Sequence, residues 1–193
     1  MDELILPIVN YGHPVLRKKG ARIEVVSAEI KKLIADMFDT MHERHGVGLA
    51  AQQIGQAVQL TVIDVSAVVD RPSTLELGGQ PADVKDFMPL VLINPEVKPV
   101  GAPVSGPEGC LSFPEIYTDI SRPESVDVTA VNQHGKSFSF RCGGLLARAV
   151  QHETDHLHGI LFIDRMSIEK KKELKAELED LQAETKAALK KKG

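Results

Sequence analysis

Apolar residues recur at helical spacing in three stretches of the chain, and these stretches predict three helices. The first begins after Ser27, a residue that is typical of a helix N-cap. The second lies between the pair Gly143-Gly144 and Gly159, which are typical flanks of a helix. The third covers residues 167–193 and alternates a leucine stripe with lysine and glutamate, as a surface helix does.

Short apolar runs between the first two helices predict strands. These runs cover residues 60–65 and 90–93, and a β-hairpin is predicted where residues 126–131 and 136–141 flank an Asn-Gln-His-Gly turn. Residues 66–89 hold several prolines and glycines, so we expect a long surface loop there. The pattern thus predicts a chain that mixes helices with strands.

Composition favours one globular domain over residues 1–193, with about 167–193 as a C-terminal helix and basic tail. The 193 residues are 42% hydrophobic and 26% charged, which is enough apolar material for one core. Aromatic residues make up only 4% and the formal net charge is −4, so a specific nucleic-acid binder is not expected. We see no secretory signal and no apolar run of the ~20 residues that span a bilayer, and we therefore expect a cytoplasmic protein without membrane contact.

The second helix carries the HExxH pattern, formed by His152, Glu153 and His156. Residues four apart on a helix lie on one face, so both imidazoles can share one metal ion, and Glu153 can reach a water bound to it. Leu145 and Ala149 fall on the same stripe and suit the wall of a pocket. The competing interpretation is a surface helix with scattered polar residues.

Arg148 also lies on this stripe, and we expect its aliphatic stem at the pocket rim with its charge in water. His42 and His45, which end the first helix, are interpreted as charges facing the helix dipole rather than as ligands. His134 is interpreted as an exposed turn residue, and Cys142 as a buried free thiol.

The third metal ligand is left open by the motif alone. A glutamate from a later helix would indicate an endopeptidase, and Glu169, Glu173 and Glu177 are possible, although their helix is strongly charged. His158 would lie off the ligand face. Cys110 is the better candidate, because it stands in the segment Glu-Gly-Cys-Leu-Ser, whose glycine permits close approach.

Three blocks of the chain together resemble the peptide deformylase family. Residues 46–53 read GVGLAAQQ, residues 108–112 read EGCLS and residues 151–156 read QHETDH, in the order of the family signatures GxGLAAxQ, EGCLS and QHExDH. The likeness covers about residues 5–166. With the elements above, the resemblance implies an α+β fold of mostly antiparallel sheets packed around the HExxH helix, followed by a C-terminal helix.

The resemblance also implies a metal site and a reaction. It assigns one divalent ion to Cys110, His152 and His156, typically Fe2+, with Zn2+, Ni2+ or Co2+ able to substitute. A metal-bound water would attack the formyl carbon of N-formyl-methionine on a newly made polypeptide, and formate would be released. Glu153 would take the proton from that water and pass it to the leaving amine. The Gln53 side-chain amide and the Leu111 backbone N–H would stabilise the developing oxyanion.

Two surfaces are expected to meet the substrate. The methionine pocket would be walled by apolar and small residues: Val47, Gly48, Leu145 and Ala149, with Arg148 at its rim. The peptide backbone would run along strand edges near residues 46–48 and the pair Glu108-Gly109. Residues 169–192 hold 8 Lys against 6 acidic residues, a net charge of +2, so a transient ribosome contact of the C-terminal helix is a further hypothesis.

Two other functions stay open. An endopeptidase would cleave unformylated internal bonds, and a structural zinc module would need a fourth protein ligand with no open water position.

Overall fold

The computed structural model describes residues 4–191, and an antiparallel sheet organises this part of the chain. Met1, Asp2, Glu3, Lys192 and Gly193 lie outside the described residues, so the end of the expected basic tail does too. The strands are β1 (Gly48–Ala50), β2 (Leu60–Ile63), β3 (Ser73–Leu77), β4 (Gln80–Pro81), β5 (Leu90–Cys110), β6 (Phe113–Val131) and β7 (Ser137–Gly143). Their order in the sheet is β1-β2-β5-β6-β7-β3-β4.

Five α-helices accompany the sheet: α1 (Ala28–Glu43), α2 (Val84–Phe87), α3 (Gly144–Leu157), α4 (Ile168–Glu173) and α5 (Lys175–Lys190). Short 3-10 helices lie at Pro14–Arg17, Ala51–Ile54 and Phe162–Arg165. The helix α3 is the HExxH helix, and 12 of its 14 residues are buried. The predicted α+β fold with an antiparallel sheet around this helix is therefore confirmed.

A long two-stranded ribbon of β5 and β6 brings distant residues to the central helix. The two strands pair from Ile93 and Val131 to Cys110 and Phe113, with register shifts along the way. The sequence predicted that the first of these strands ends at Ile93, which is wrong. Asn94 takes a φ of 50° and bonds the backbone of Ile23 through its side chain, and the ladder resumes after the register shift at Glu96.

Local signals explain the first helix and the hairpin. The Ser27 side chain accepts a hydrogen bond from the backbone N–H of Ile30 at 3.3 Å, which satisfies one free donor of the first turn of α1. Met37 and Met41 of α1 are fully buried, and burial of such side chains contributes roughly 2 kcal/mol each. The predicted hairpin turn joins β6 to β7, and His134 in it is exposed as expected.

The prediction of a surface loop over residues 66–89 is wrong for its middle part. The strand β3 pairs with β7, and Leu75 of β3 is only 3% exposed, within the core around α3. Prolines and glycines in and around β3 and β4 are typical of loops, so the strand pattern of these short segments was not recognised in the sequence. The C-terminal helix is also divided, because α4 ends at Glu173 and α5 begins at Lys175.

Three leucines fasten the C-terminal helices to the core around Phe113 and Phe162: Leu174, Leu178 and Leu181. Over residues 4–191, none of the helices combines the length and the apolar character that a membrane crossing requires.

Candidate metal centre

Three ligand side chains converge where the end of β5 meets α3. The Cys110 Sγ lies 3.3 Å from the His156 Nε2, and the rings of His152 and His156 are 5.2 Å apart between centroids. The ligand atoms of all three residues lie within 4.8 Å of one another. Among residues 4–191, no other group of three His, Cys, Asp or Glu side chains meets this spacing.

This donor set fits a divalent transition metal. A tetrahedral ion with ligand bonds of about 2.0–2.3 Å holds its ligand atoms roughly 3.5 Å apart, which agrees with the spacing of Cys110 and His156. One sulfur and two imidazole nitrogens suit zinc and ferrous iron alike. The Glu108 carboxylate lies 2.9 Å from the His152 Nδ1, which leaves the Nε2 of that ring for the cluster.

The other ligands considered from the sequence are not part of this cluster. Glu169, Glu173 and Glu177 are exposed on α4 and α5, as expected from their charged surroundings. The His42 Nε2 pairs with Asp64 at 3.2 Å, and the His158 Nδ1 contacts the Thr154 carbonyl at 2.9 Å. Both cysteines are free thiols, and burial raises the pKa of Cys142 to about 12, which keeps it protonated.

Glu153 is a buried carboxyl beside this cluster. It is 5% exposed, and its Oε2 has no hydrogen-bond partner among the described residues. Burial disfavours the charged form and raises the pKa of Glu153 to about 7. Gly48 leaves room for it, since a Cβ at Gly48 would lie 2.5 Å from the Glu153 Oε1. A carboxyl with a pKa near neutrality can both accept and release a proton.

Gln53, in the 3-10 helix that follows β1, lies beside Cys110. The Gln53 side chain is buried, and its Oε1 accepts a hydrogen bond from the Ala50 backbone N–H at 2.9 Å. Its Nε2 lies 3.4 Å from both the Cys110 Sγ and the Ser112 Oγ. The amide of Gln53 is therefore held with its donor end beside the sulfur.

A buried ionic network surrounds Glu108. Its carboxylate accepts hydrogen bonds from Arg122 and Arg148 and meets His152. Burial alone would raise the pKa of Glu108, but the hydrogen bonds from His152 and Arg122 outweigh it and lower the pKa to about 2. The expectation that the Arg148 charge lies in water is wrong, because its side chain is 11% exposed and binds this carboxylate.

The network continues from Arg122 to helix α3. Arg122 donates to Asp155 at 2.8 Å, and Arg165 donates to the same carboxylate with two nitrogens. None of these three residues was identified from the sequence. Asp155 does lie within the HExxH segment, but its partners are 33 residues upstream and 10 residues downstream, and no local pattern connects them.

A cavity of about 840 Å³ opens over the centre. It is lined by every predicted site residue except His156: Val47, Gly48, Gln53, Glu108, Gly109, Cys110, Leu111, Leu145, Arg148, Ala149, His152 and Glu153. The sequence missed other lining residues, among them Arg71, Glu115 and Tyr117. The structure thus gathers the three sequence blocks around one cavity.

An HExxH helix whose two histidines meet a cysteine beside a buried glutamate defines a metal-dependent hydrolase. The model of the polypeptide deformylase family matches residues 5–172. The chain belongs to the peptide deformylase family, as its motifs indicated. This family uses a single metal ion, for which the cluster of Cys110, His152 and His156 is the candidate site.

Relatives and solved structures are similar to this protein over most of its chain. The chain is 47% identical to the peptide deformylase of Methylacidiphilum infernorum (isolate V4), over 92% of this chain and 93% of that protein. It is 41% identical to the peptide deformylase of Aquifex aeolicus (strain VF5), over 84% and 88%. The structure of a plant peptide deformylase PDF1B superposes with a TM-score of 0.82 at 38% identity, covering 97% of this chain and 95% of that one.

Proposed function

We propose that this chain, acting as one catalytic domain, removes the N-formyl group from the N-terminal formyl-methionine of newly made polypeptides and releases formate. The observation that carries this proposal is the convergence of Cys110, His152 and His156 beside the buried Glu153 in one cavity. Membership of the peptide deformylase family supports the same reaction.

The Cys110 thiolate and the imidazoles of His152 and His156 would hold one divalent ion, Fe2+ in the native protein, with Zn2+, Ni2+ or Co2+ as substitutes. When bound, this ion supplies Lewis acidity, which lowers the pKa of water and polarises a carbonyl oxygen. The thiolate of Cys110 adds more negative charge to the ligand set than a third imidazole would. Glu108 supports the set by holding the ring of His152 in one orientation.

Glu153 acts as the general base and then as the general acid. It takes a proton from the attacking water and gives it to the amine that leaves when the formyl C–N bond breaks. Its pKa of about 7, which results from burial, suits a group that must accept and release a proton near neutral pH. Gly48 keeps the space that the Glu153 carboxyl occupies.

Two donors stabilise the charge that develops on the formyl oxygen, the Gln53 side-chain amide and the Leu111 backbone N–H. The fixed position of Gln53 supports this role, because its Oε1 is held by Ala50 and its Nε2 lies beside Cys110. A donor aimed in advance requires no rearrangement during the reaction, and its loss typically costs on the order of 100-fold in rate.

The methionine side chain binds against Val47, Gly48, Leu145 and Ala149. Leu145 and Ala149 line the cavity and contribute apolar groups to its wall, although only 7% and 5% of their surface is exposed. The peptide backbone runs along the edges at residues 46–48 and at Glu108-Gly109, by strand addition. The formyl group is small enough to enter a tight site beside Cys110.

We also propose a transient ribosome contact through α5, whose lysines are exposed. The assay compares ribosome affinity of the full chain with that of a chain lacking residues 186–193, and equal affinities would dismiss the contact. The cytoplasmic location expected from the sequence stays a prediction.

Formate release tests the main proposal. The protein, loaded anaerobically with Fe2+, is expected to release one formate from a formyl-Met peptide and to leave unformylated peptides intact. Cleavage of internal bonds in unformylated peptides, with no formate released, would contradict the proposal and favour an endopeptidase.

A further inference from the structure

The candidate ligands come from two separate elements, so their spacing depends on how these elements are held together. Cys110 ends β5 in the β5–β6 ribbon, whereas His152 and His156 lie on α3. Arg148 also lies on α3, four residues before His152, and therefore on the same face of the helix. Its side chain reaches from the helix to the ribbon.

The Arg148 guanidinium makes four hydrogen bonds, all with groups of the ribbon. Its Nη1 donates to the Ile120 carbonyl at 2.8 Å, the Glu108 Oε1 at 3.0 Å and the Gly106 carbonyl at 3.4 Å. Its Nη2 donates to the Val104 carbonyl at 2.8 Å. These acceptors belong to both strands, so one side chain joins β5 and β6 to α3.

Gly106 provides the space in which the guanidinium lies. A Cβ at Gly106 would meet the Arg148 Nη2 at 3.0 Å, and the other two nearest atoms would be the Cζ and Nε of the same guanidinium. Any side chain at this position would press on Arg148. The ribbon therefore has a place that is shaped for this group.

Glu108 connects Arg148 to the metal ligands. The Oε1 of this carboxylate binds Arg148, and its Oε2 lies 2.9 Å from the His152 Nδ1. The carboxylate sets the orientation of the imidazole. Arg148 helps to hold this carboxylate through its hydrogen bond to Oε1, beside the two that Arg122 donates. Arg148 thus acts on His152 through Glu108 and on Cys110 through the strand.

We propose that Arg148 is a positioning residue for deformylation, which clamps the β5–β6 ribbon to α3 and so holds Cys110 and His152 at the spacing that the metal requires. The inference rests on the function proposed above. Four hydrogen bonds fix the guanidinium against the ribbon, and this anchoring supports a role in holding the ligand set.

Metal affinity tests this role apart from activity. Zn2+ binding to Arg148→Met, Arg148→Lys and the unchanged chain is measured by competition with a chromophoric chelator, and circular dichroism verifies folding. We expect Arg148→Met to bind Zn2+ about tenfold or more weakly, since loss of groups that orient metal ligands typically costs 10- to 100-fold. Arg148→Lys should fall between, because an ammonium cannot make the same fork of contacts.

Arg141→Met is the matched control. Arg141 lies on the same sheet and pairs with Asp127, but both side chains are about half exposed and neither residue lines the cavity. It should bind Zn2+ as the unchanged chain does. A second variant, Gly106→Ala, keeps Arg148, but its Cβ would meet the guanidinium at 3.0 Å and push it aside by a few tenths of an ångström. It should weaken Zn2+ binding less than Arg148→Met does, and it provides the test if Arg148→Met does not fold.

Two results would overturn the inference. In the first, Arg148→Met and Gly106→Ala bind Zn2+ as tightly as the unchanged chain does. In the second, Arg141→Met loses as much Zn2+ affinity as Arg148→Met does. If the unchanged chain itself neither binds Zn2+ nor releases formate from a formyl-Met peptide, the proposed function fails instead.

Discussion

Gly48 offers a test of the geometry, because a side chain at this position would press on the proposed proton carrier, Glu153. A Cβ at Gly48 would lie 2.5 Å from the Glu153 Oε1, 2.8 Å from its Cγ and 2.9 Å from its Cδ. Since ordinary contacts between such atoms begin at about 3.5 Å, Gly48→Ala forces the carboxyl to move by roughly 1 Å. Gly48 has no left-handed φ, so alanine adds a clash without backbone strain.

This displacement sets the size of the expected effect. A misplacement of about 1 Å costs on the order of 100-fold in rate, or about 2.7 kcal/mol of barrier. We therefore expect Gly48→Ala to lower kcat about 100-fold for a formyl-Met peptide. Metal content should not change, because Cys110, His152 and His156 are not among the atoms nearest to that Cβ.

The assay combines formate release with elemental analysis of the same preparation. Gly143→Ala is the control, since its Cβ would also meet a neighbour at 2.5 Å, but that neighbour is the Thr74 Oγ1 rather than Glu153. It should lower stability while kcat stays near the value of the unchanged chain. A Gly48→Ala enzyme with full metal and normal kcat would refute the reasoning.

Three further predictions follow from the site and its surroundings. Glu153→Gln should keep the metal but lose roughly 100- to 10,000-fold in formate release, and a normal rate would show that Glu153 does not carry the proton. Cys110→Ser should lower the retained iron or zinc, measured by elemental analysis, because a hydroxyl is a harder ligand than a thiolate; unchanged metal content would count against Cys110. Asp164 forms an ion pair with Arg17. Burial alone would raise the pKa of the Asp164 carboxyl, but this ion pair outweighs burial and lowers the pKa from 3.8. The stabilisation that this ion pair gives is complete above pH 3.8 and is lost as the pH falls through the lower pKa of Asp164 in the folded state. The Tm difference between the unchanged chain and Asp164→Asn should therefore shrink in acid. A difference that grows in acid would contradict this sign.

Local sequence patterns predicted those parts of the site that lie within one element. The spacing of His152, Glu153 and His156 on a helix is enough to place them together, because helical geometry is the same in every context. Ser27 likewise identified the start of α1. Cys110 is different, since its flanking glycine made it one candidate among several, and the resemblance to a family then assigned it to histidines more than 40 residues away.

Pairing over long distances explains what the sequence could not show. The hydrogen bonds of Arg122 to Glu108 and Asp155 depend on the register of β5 with β6 and on where α3 packs against these strands. A local sequence pattern encodes neither. The same holds for Arg148, for which hydropathy alone suggested a charge in water. The strand β3 was missed because the flanking Pro72 and Gly78-Gly79 resemble a loop until its partner β7 is known.

X-ray absorption at the zinc edge of the Zn2+-loaded protein tests the central claim that one cysteine and two histidines hold the ion. The expected spectrum has one sulfur at about 2.3 Å and two imidazole nitrogens at about 2.0 Å, and the sulfur contribution should disappear in Cys110→Ser. A spectrum with no sulfur in the unchanged chain would contradict the account.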